Sequence, residues 1–553
     1  MRRVWARAWE RVRPGRVWQN YTGRTMNRLY ARVWVALGVA AMAVGQSSCG
    51  GDDQGRQRDD PILVALDARQ NADRRADAVR EAFARAVKES DRIGVRTELA
   101  PQIWSDQADG KVKAAIVREM LSEKSERSAG EIREELRLNL PHQTSREVVV
   151  EVCKAAAERG WKDFTSAIVR AWGREIPGLP EGERVERATL ATLWPERTVE
   201  ATVFDVFLNP PPDTDATRRL KLEETYRISA WAVLSRDDAD GTKRVGLLRQ
   251  TAGASGKPFV AEILACVDEL RVVPMTGEEL RWARRLRDPK LETNKKWWAE
   301  VRVVVSSLSA EQAKGLGLGH LEALRLSSTS KPEWLTMSRS ALLDELRGRL
   351  SGREVREASD NRPSGVRVKE TLSAWESKLV WADVLTVLMV DEAVASESVR
   401  RDLFTYVEFD RRDETTEYGG TVDATPTDLP GQRAEMRAVL YQPRPGQRVN
   451  DTTFIASDDM ISASDRSLAH YHFHAAERNN AAYAGPSLED MDYATLFGRA
   501  CLVVTSLGSD ELAVDYYQPG GIVIDLGTIV APGPAAPAGS ASSRAPTGSS
   551  TAK

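Results

Sequence analysis

The stretch AHYHFHAAERNNAAYAGPSLEDMDYATLFGRACLVVTS, from Ala469 to Ser506, decides how the C-terminal part of this chain is read. Three of the five histidines in the chain, His470, His472 and His474, fall in its first six residues. Side chains alternate along a strand, so His472 and His474 share a face and can converge on one ion; His470 can join them. After a loop ending in Ala484-Gly485-Pro486, Ser487 stands where a helix N-cap would, with Asp490 three residues on. A helix is expected over Leu488 to Arg499, since a hydroxyl cap and an acid in the first turn both favour helix initiation. The run CLVVTS from Cys501 then returns to strand.

The same grammar extends outward over residues 401–530. FTYVEF, AVLYQ, TTFIAS, ELAVDYYQ and GIVIDLG are short runs rich in β-branched and aromatic residues, separated by turn signals such as Pro445-Gly446 and Pro519-Gly520-Gly521. They predict a mixed α/β domain. Residues 61–400 are helical instead. Val112, Ile116 and Met120 make one apolar stripe, and Phe164, Ile168 and Trp172 another. Ser145 is an expected N-cap and Gly160 an expected C-terminal stop, while Thr276-x-x-Glu279 and Ser309-x-x-Gln312 match capping boxes. Trp282, Trp297 and Trp298 are read as core, and Cys153 and Cys266 as buried thiols. Serial helix pairs resemble HEAT-like α-solenoids, but no fixed period of about 40 residues stands out, so an irregular helical region fits equally.

The termini differ from both. Residues 1–32 hold nine Arg and one Glu, which leaves −11 for the other 521 of the 553 residues; the bulk of the chain has no basic footprint for nucleic acid. An apolar run from Val33 to Gly45 follows Arg28 and Arg32, too short to span a bilayer but suited to an export signal. Small residues before Cys49 and a polar run after it resemble the lipobox of bacterial lipoproteins. That resemblance implies lipidation at Cys49, a membrane anchor and a place in the cell envelope. Residues 1–60 are thus a targeting segment with linker, and 531–553, built from Ala, Pro, Gly, Ser and Thr with two basic residues, a disordered tail. Four separated cysteines exclude a Cys-rich zinc module, so a metal site must use His and carboxylates.

Taken together, His472-x-His474 and Ser487-x-x-Asp490 resemble the signature of the JAMM (MPN+, JAB-like) zinc metallopeptidases. Glu417-Tyr418-Gly419-Gly420 looks like the glutamate-containing strand near the start of that domain. The resemblance covers about Leu403 to Val530. It implies zinc ligation by His472, His474 and Asp490 with water as the fourth ligand, Glu417 as general base and Ser487 as an oxyanion donor. Glu408 and Glu414 are rivals for the base. Two imidazoles and one carboxylate leave zinc an open position, and a nearby carboxylate can take a proton from its water. The function implied is zinc-dependent hydrolysis of a peptide or isopeptide bond in a protein substrate that the helical region recruits. The alternative is a non-catalytic envelope lipoprotein scaffold with a helical protein-binding surface. No phosphate loop, G-x-S-x-G elbow or Cys–His pair competes.

Overall fold

The computed structural model describes residues 60–533 other than 175, 177–178, 213–220, 256, 355–368 and 426–434. The export segment, Cys49 and all but the first three residues of the tail lie outside the described residues. Among the described residues no helix is long and apolar enough to cross a membrane. The chain forms two compact units: one runs to Leu247 and takes in Met275–Gly277, and the other holds Leu248–Pro274 and the chain from Glu278 onward.

The first unit is built from helix pairs. Helices α1 (Ala72–Arg85), α3 (Gly110–Leu121), α5 (Arg146–Arg159) and α7 (Val185–Leu193) pack side by side in that order. Their starts are 38, 36 and 39 residues apart. Between them come α2 (Glu89–Leu99), α4 (Glu126–Asn139) and α6 (Thr165–Trp172), with α8 (Val199–Leu208) after α7. The spacing is nearly regular, and successive helices of the series bury their apolar stripes against one another. Val112, Ile116 and Met120 of α3 are buried in this way, as are Phe164, Ile168 and Trp172. Ser145 caps α5 by accepting from the Val148 N–H, and Gly160 ends it at φ 64°. Ion pairs bind successive helices: Lys111 to Asp73 at 2.8 Å, Arg118 to Glu151 at 2.5 Å and Arg146 to Glu186 at 2.8 Å.

The second unit carries the sheet. Strands β1 (Gly419–Thr425), β2 (Glu435–Tyr441), β3 (Ala469–His474), β4 (Cys501–Ser506), β5 (Glu511–Gln518) and β6 (Ile522–Val530) lie in the order β2-β1-β3-β4-β5-β6. Only β3 and β4 run parallel. Helices α9 (Glu292–Ser307), α10 (Leu321–Ser330), α11 (Trp381–Ala395) and α12 (Glu397–Asp410) precede the sheet in the chain, and α13 (Leu488–Phe497) supplies part of the crossover that a parallel pair needs. Tyr471, Phe473, Leu502, Val504 and Val514 on one sheet face share a core with Trp297, Leu324, Val384 and Leu388 from α9, α10 and α11. Helix α11 is apolar nearly all round and buried along almost its full length, as a central helix must be. The opposite sheet face, with Cys501, Val503, Tyr517 and Val523, packs on Ala494 of α13.

Four expectations are corrected. The change of periodicity near residue 400 marks a change of element type and not of packing unit, because the sheet needs the preceding helices to cover one face; the units divide near Leu247 instead. FTYVEF lies in α12, where Ser396 caps the helix and Val399, Leu403 and Val407 fall every four residues on a buried stripe. TTFIAS forms no strand. The Ser309–Gln312 capping bonds do form, at 2.9 and 3.3 Å, yet the segment after them is a turn that reaches Gly315 at φ 73°.

Candidate metal centre

Chain topology brings the site together. In a strand–helix–strand crossover the helix N-terminus returns to the C-terminal end of the first strand. Ser487 and Asp490, at the start of α13, therefore come back to His472 and His474 at the end of β3. Twelve residues lie between His474 and Ser487, and backbone bonds tie them down: Asn480 N–H donates to the Ser506 carbonyl at 2.7 Å at the end of β4. On the other side β1 runs antiparallel to β3 with Gly419 opposite His472. Pairing continues one residue further, since Phe473 N–H donates to the Tyr418 carbonyl at 3.0 Å. Glu417 precedes β1 rather than lying in it, and this register sets it opposite His474.

The ring nitrogens converge. His472 Nε2 and His474 Nε2 are 3.2 Å apart. Asp490 Oδ1 lies 3.3 Å from His472 Nε2, Asp490 Oδ2 3.7 Å from His474 Nε2, and Glu417 Oε1 4.0 Å from His474 Nε2. Glu417, His472 and His474 each offer a ligand atom, all within 4.8 Å of one another. Two nitrogens bound tetrahedrally to a metal at about 2.0–2.1 Å would lie roughly 3.3 Å apart, so the donor set fits a small divalent ion. Both carboxylates stand near these nitrogens, Asp490 at 3.3 and 3.7 Å and Glu417 at 4.0 Å from His474.

The other ring nitrogens are held from behind. His474 Nδ1 lies 2.9 Å from the Tyr483 carbonyl, which can only accept, so the proton sits on Nδ1 and the lone pair on Nε2 faces the site. His472 Nδ1 has a longer contact, 3.5 Å, with the Tyr517 hydroxyl. Phe454 stacks over the His472 ring at 5.4 Å with an interplanar angle of 8°. Asp490 is oriented by Ser487, whose backbone N–H and hydroxyl donate to Oδ2 at 2.7 and 2.8 Å, while the Asp490 N–H donates back to Ser487 Oγ at 3.2 Å. Ser487 thus fixes the Asp490 carboxylate, and its hydroxyl proton points at it.

Electrostatics separate the two carboxylates. Burial raises both, but His472 and His474 beside Asp490, with the Ser487 N–H, hold it well below the usual carboxylate range. Glu417 is pushed well above that range by burial first, then by Asp490, Asp410 and Asp451. Asp410, buried behind it and accepting the Tyr418 N–H at 2.7 Å, is raised to about 8, chiefly by burial. Two carboxyl groups driven apart in this way are suited to different tasks.

The remaining candidates fall elsewhere. His470 does not join the group: its Nδ1 contacts the Tyr493 hydroxyl at 2.8 Å and it is fully enclosed. Glu408 pairs with Arg411 on α12, and Glu414 is exposed. Phe454, Tyr483 and Tyr517 support the site, and no spacing in the sequence points to them. Comparison of the chain with protein-family models, with curated proteins and with solved structures finds no match.

Proposed function

We propose that this chain is a zinc-dependent hydrolase of peptide or isopeptide bonds with a JAMM-like centre. The observation that carries the reading is the convergence of the two Nε2 atoms, 3.2 Å apart, on a partly buried aspartate, with a glutamate at the margin. His472, His474 and Asp490 would hold the zinc, which when bound supplies Lewis acidity and an acidified water. Glu417 takes the proton from the attacking water and returns it to the leaving amine, a transfer for which its raised affinity for protons suits it. Ser487 orients Asp490 and, once its hydroxyl turns from that carboxylate, stabilises the oxyanion.

On this reading the helix array recruits a protein substrate, and lipidation at Cys49 tethers the enzyme at the cell envelope. Mass spectrometry of the native protein should find an acylated Cys49 at the mature N-terminus, and an intact Met1 would sink the anchor. The scaffold alternative draws on a different feature, a groove of about 610 Å³ across α1, α3 and α5 lined by Asp73, Asp77, Lys111, Arg118 and Glu147. Zinc content and cleavage of a peptide library, measured on the parent and on Asp490→Ala, decide between the two. The hydrolase predicts stoichiometric zinc and cleavage lost together in the variant; a parent that holds no zinc favours the scaffold.

A further inference from the structure

The two histidine ligands are oriented by different means. His474 has a hydrogen bond of 2.9 Å from Nδ1 to a backbone carbonyl, which fixes both its tautomer and its ring plane. His472 has only a 3.5 Å contact from Nδ1 to Tyr517. A ring that lacks a good hydrogen bond needs another restraint if Nε2 is to stay on target, because outer partners set the aim of a metal-ligating imidazole. The restraint present is Phe454, stacked almost parallel to His472.

The slot that admits this ring is made by a glycine. Gly419 lies opposite His472 in the β1–β3 register, and a Cβ there would come within 2.6 Å of Phe454 Cε2 and 2.4 Å of the Tyr471 carbonyl oxygen. Any side chain at 419 would therefore occupy the space that the ring uses. From behind, Phe454 packs on Ala456, Met460, Ile461 and Phe497, a small cluster that joins its loop to the end of α13. Its backbone N–H acts on the Glu417 carboxyl and lowers that group's affinity for protons.

We propose that Phe454 is the positioning residue of the centre, its ring setting the orientation of His472 so that Nε2 stays aimed at the metal. The proposal rests on the metal-binding reading and not on which bond is cleaved. It also gives Gly419 a physical purpose, since only hydrogen there leaves room for the clamp.

The test uses full-length protein stripped of metal and titrated with Co²⁺, whose visible absorption reports ligand geometry. Phe454→Ala should weaken Co²⁺ binding by about 10–100-fold, the usual cost of losing an outer partner of a metal ligand. Because that variant also leaves a cavity, Phe454→Leu is the decisive one: it fills the slot and keeps the N–H but removes the flat ring. It should melt near the parent temperature while losing Co²⁺ affinity and showing an altered spectrum, and Phe454→Tyr should restore both. Parent-like affinity and spectrum in Phe454→Leu overturn the proposal alone. A parent that binds no Co²⁺ overturns the metal reading and this inference with it.

Discussion

The helix array and the end of β3 handle charge in opposite ways. Along the array, charges pair between successive helices, at exposed positions as Lys111 does with Asp73 and Arg118 with Glu151, and the buried Glu186 is matched by Arg146 and Arg184. Around β3, Glu417, His472, His474 and Asp490 are drawn together with little solvent, and the ion-pair contacts among them join acids to imidazoles. An exposed pair contributes little and can be exchanged; a buried group of acids and imidazoles is costly unless a cation or protons complete it. On the proposed reading the function lies within the second unit, where this buried group stands.

The sharpest way to break this comparison is the base. Glu417→Gln keeps shape and should keep zinc, while hydrolysis drops by about 10²–10⁴-fold because a positioned proton acceptor is gone. Parallel measurement of zinc content and cleavage checks it, and full activity in the variant removes Glu417 from the mechanism. Next are the ligands: alanine at His472, His474 or Asp490 should lower zinc occupancy and activity together, whereas His470→Ala should leave zinc in place, since His470 faces Tyr493. Zinc loss in His470→Ala with retention in Asp490→Ala would overturn the assignment.

Two smaller effects concern stability. Asp410 has its folded-state pKa raised to about 8, so its contribution is fully present below the unfolded value of about 3.9 and is lost as pH rises through 8. Metal-free protein should therefore lose stability between about pH 4 and pH 8, and Asp410→Asn should flatten that slope in denaturant titrations across the range. An unchanged slope means that another group carries it. Ser487→Ala should cost about 1 kcal/mol through the lost cap, in addition to any effect on the ligand it orients. At the far end of the scale, Arg118→Ala in the array should change unfolding free energy by less than about 1 kcal/mol. A loss of several kcal/mol there would mean that the array's ion pairs are not the interchangeable surface features described above.

Much of this was readable from local chemistry. The stripes at Val112, Ile116 and Met120, the caps at Ser145 and Ser487, and the alternation of β3 depend on neighbours in the chain, and they appear where local rules place them. The pairing of His472 with His474 and the return of Asp490 were legible for the same reason, as a two-residue repeat followed by a capped helix. The repeat in the helix array was not, because starts spaced 38, 36 and 39 residues apart blur any single period. FTYVEF was misleading because β propensity yields to a buried four-residue stripe, and the boundary near 400 because element type says nothing about which surfaces share a core. The Tyr418-Gly419-Gly420 that follows Glu417 already favoured it over Glu408 and Glu414, and tertiary structure adds the β1–β3 register that sets it opposite His474. Only tertiary structure could bring Phe454 onto His472, a contact between residues 18 apart through a slot that exists because Gly419 has no side chain.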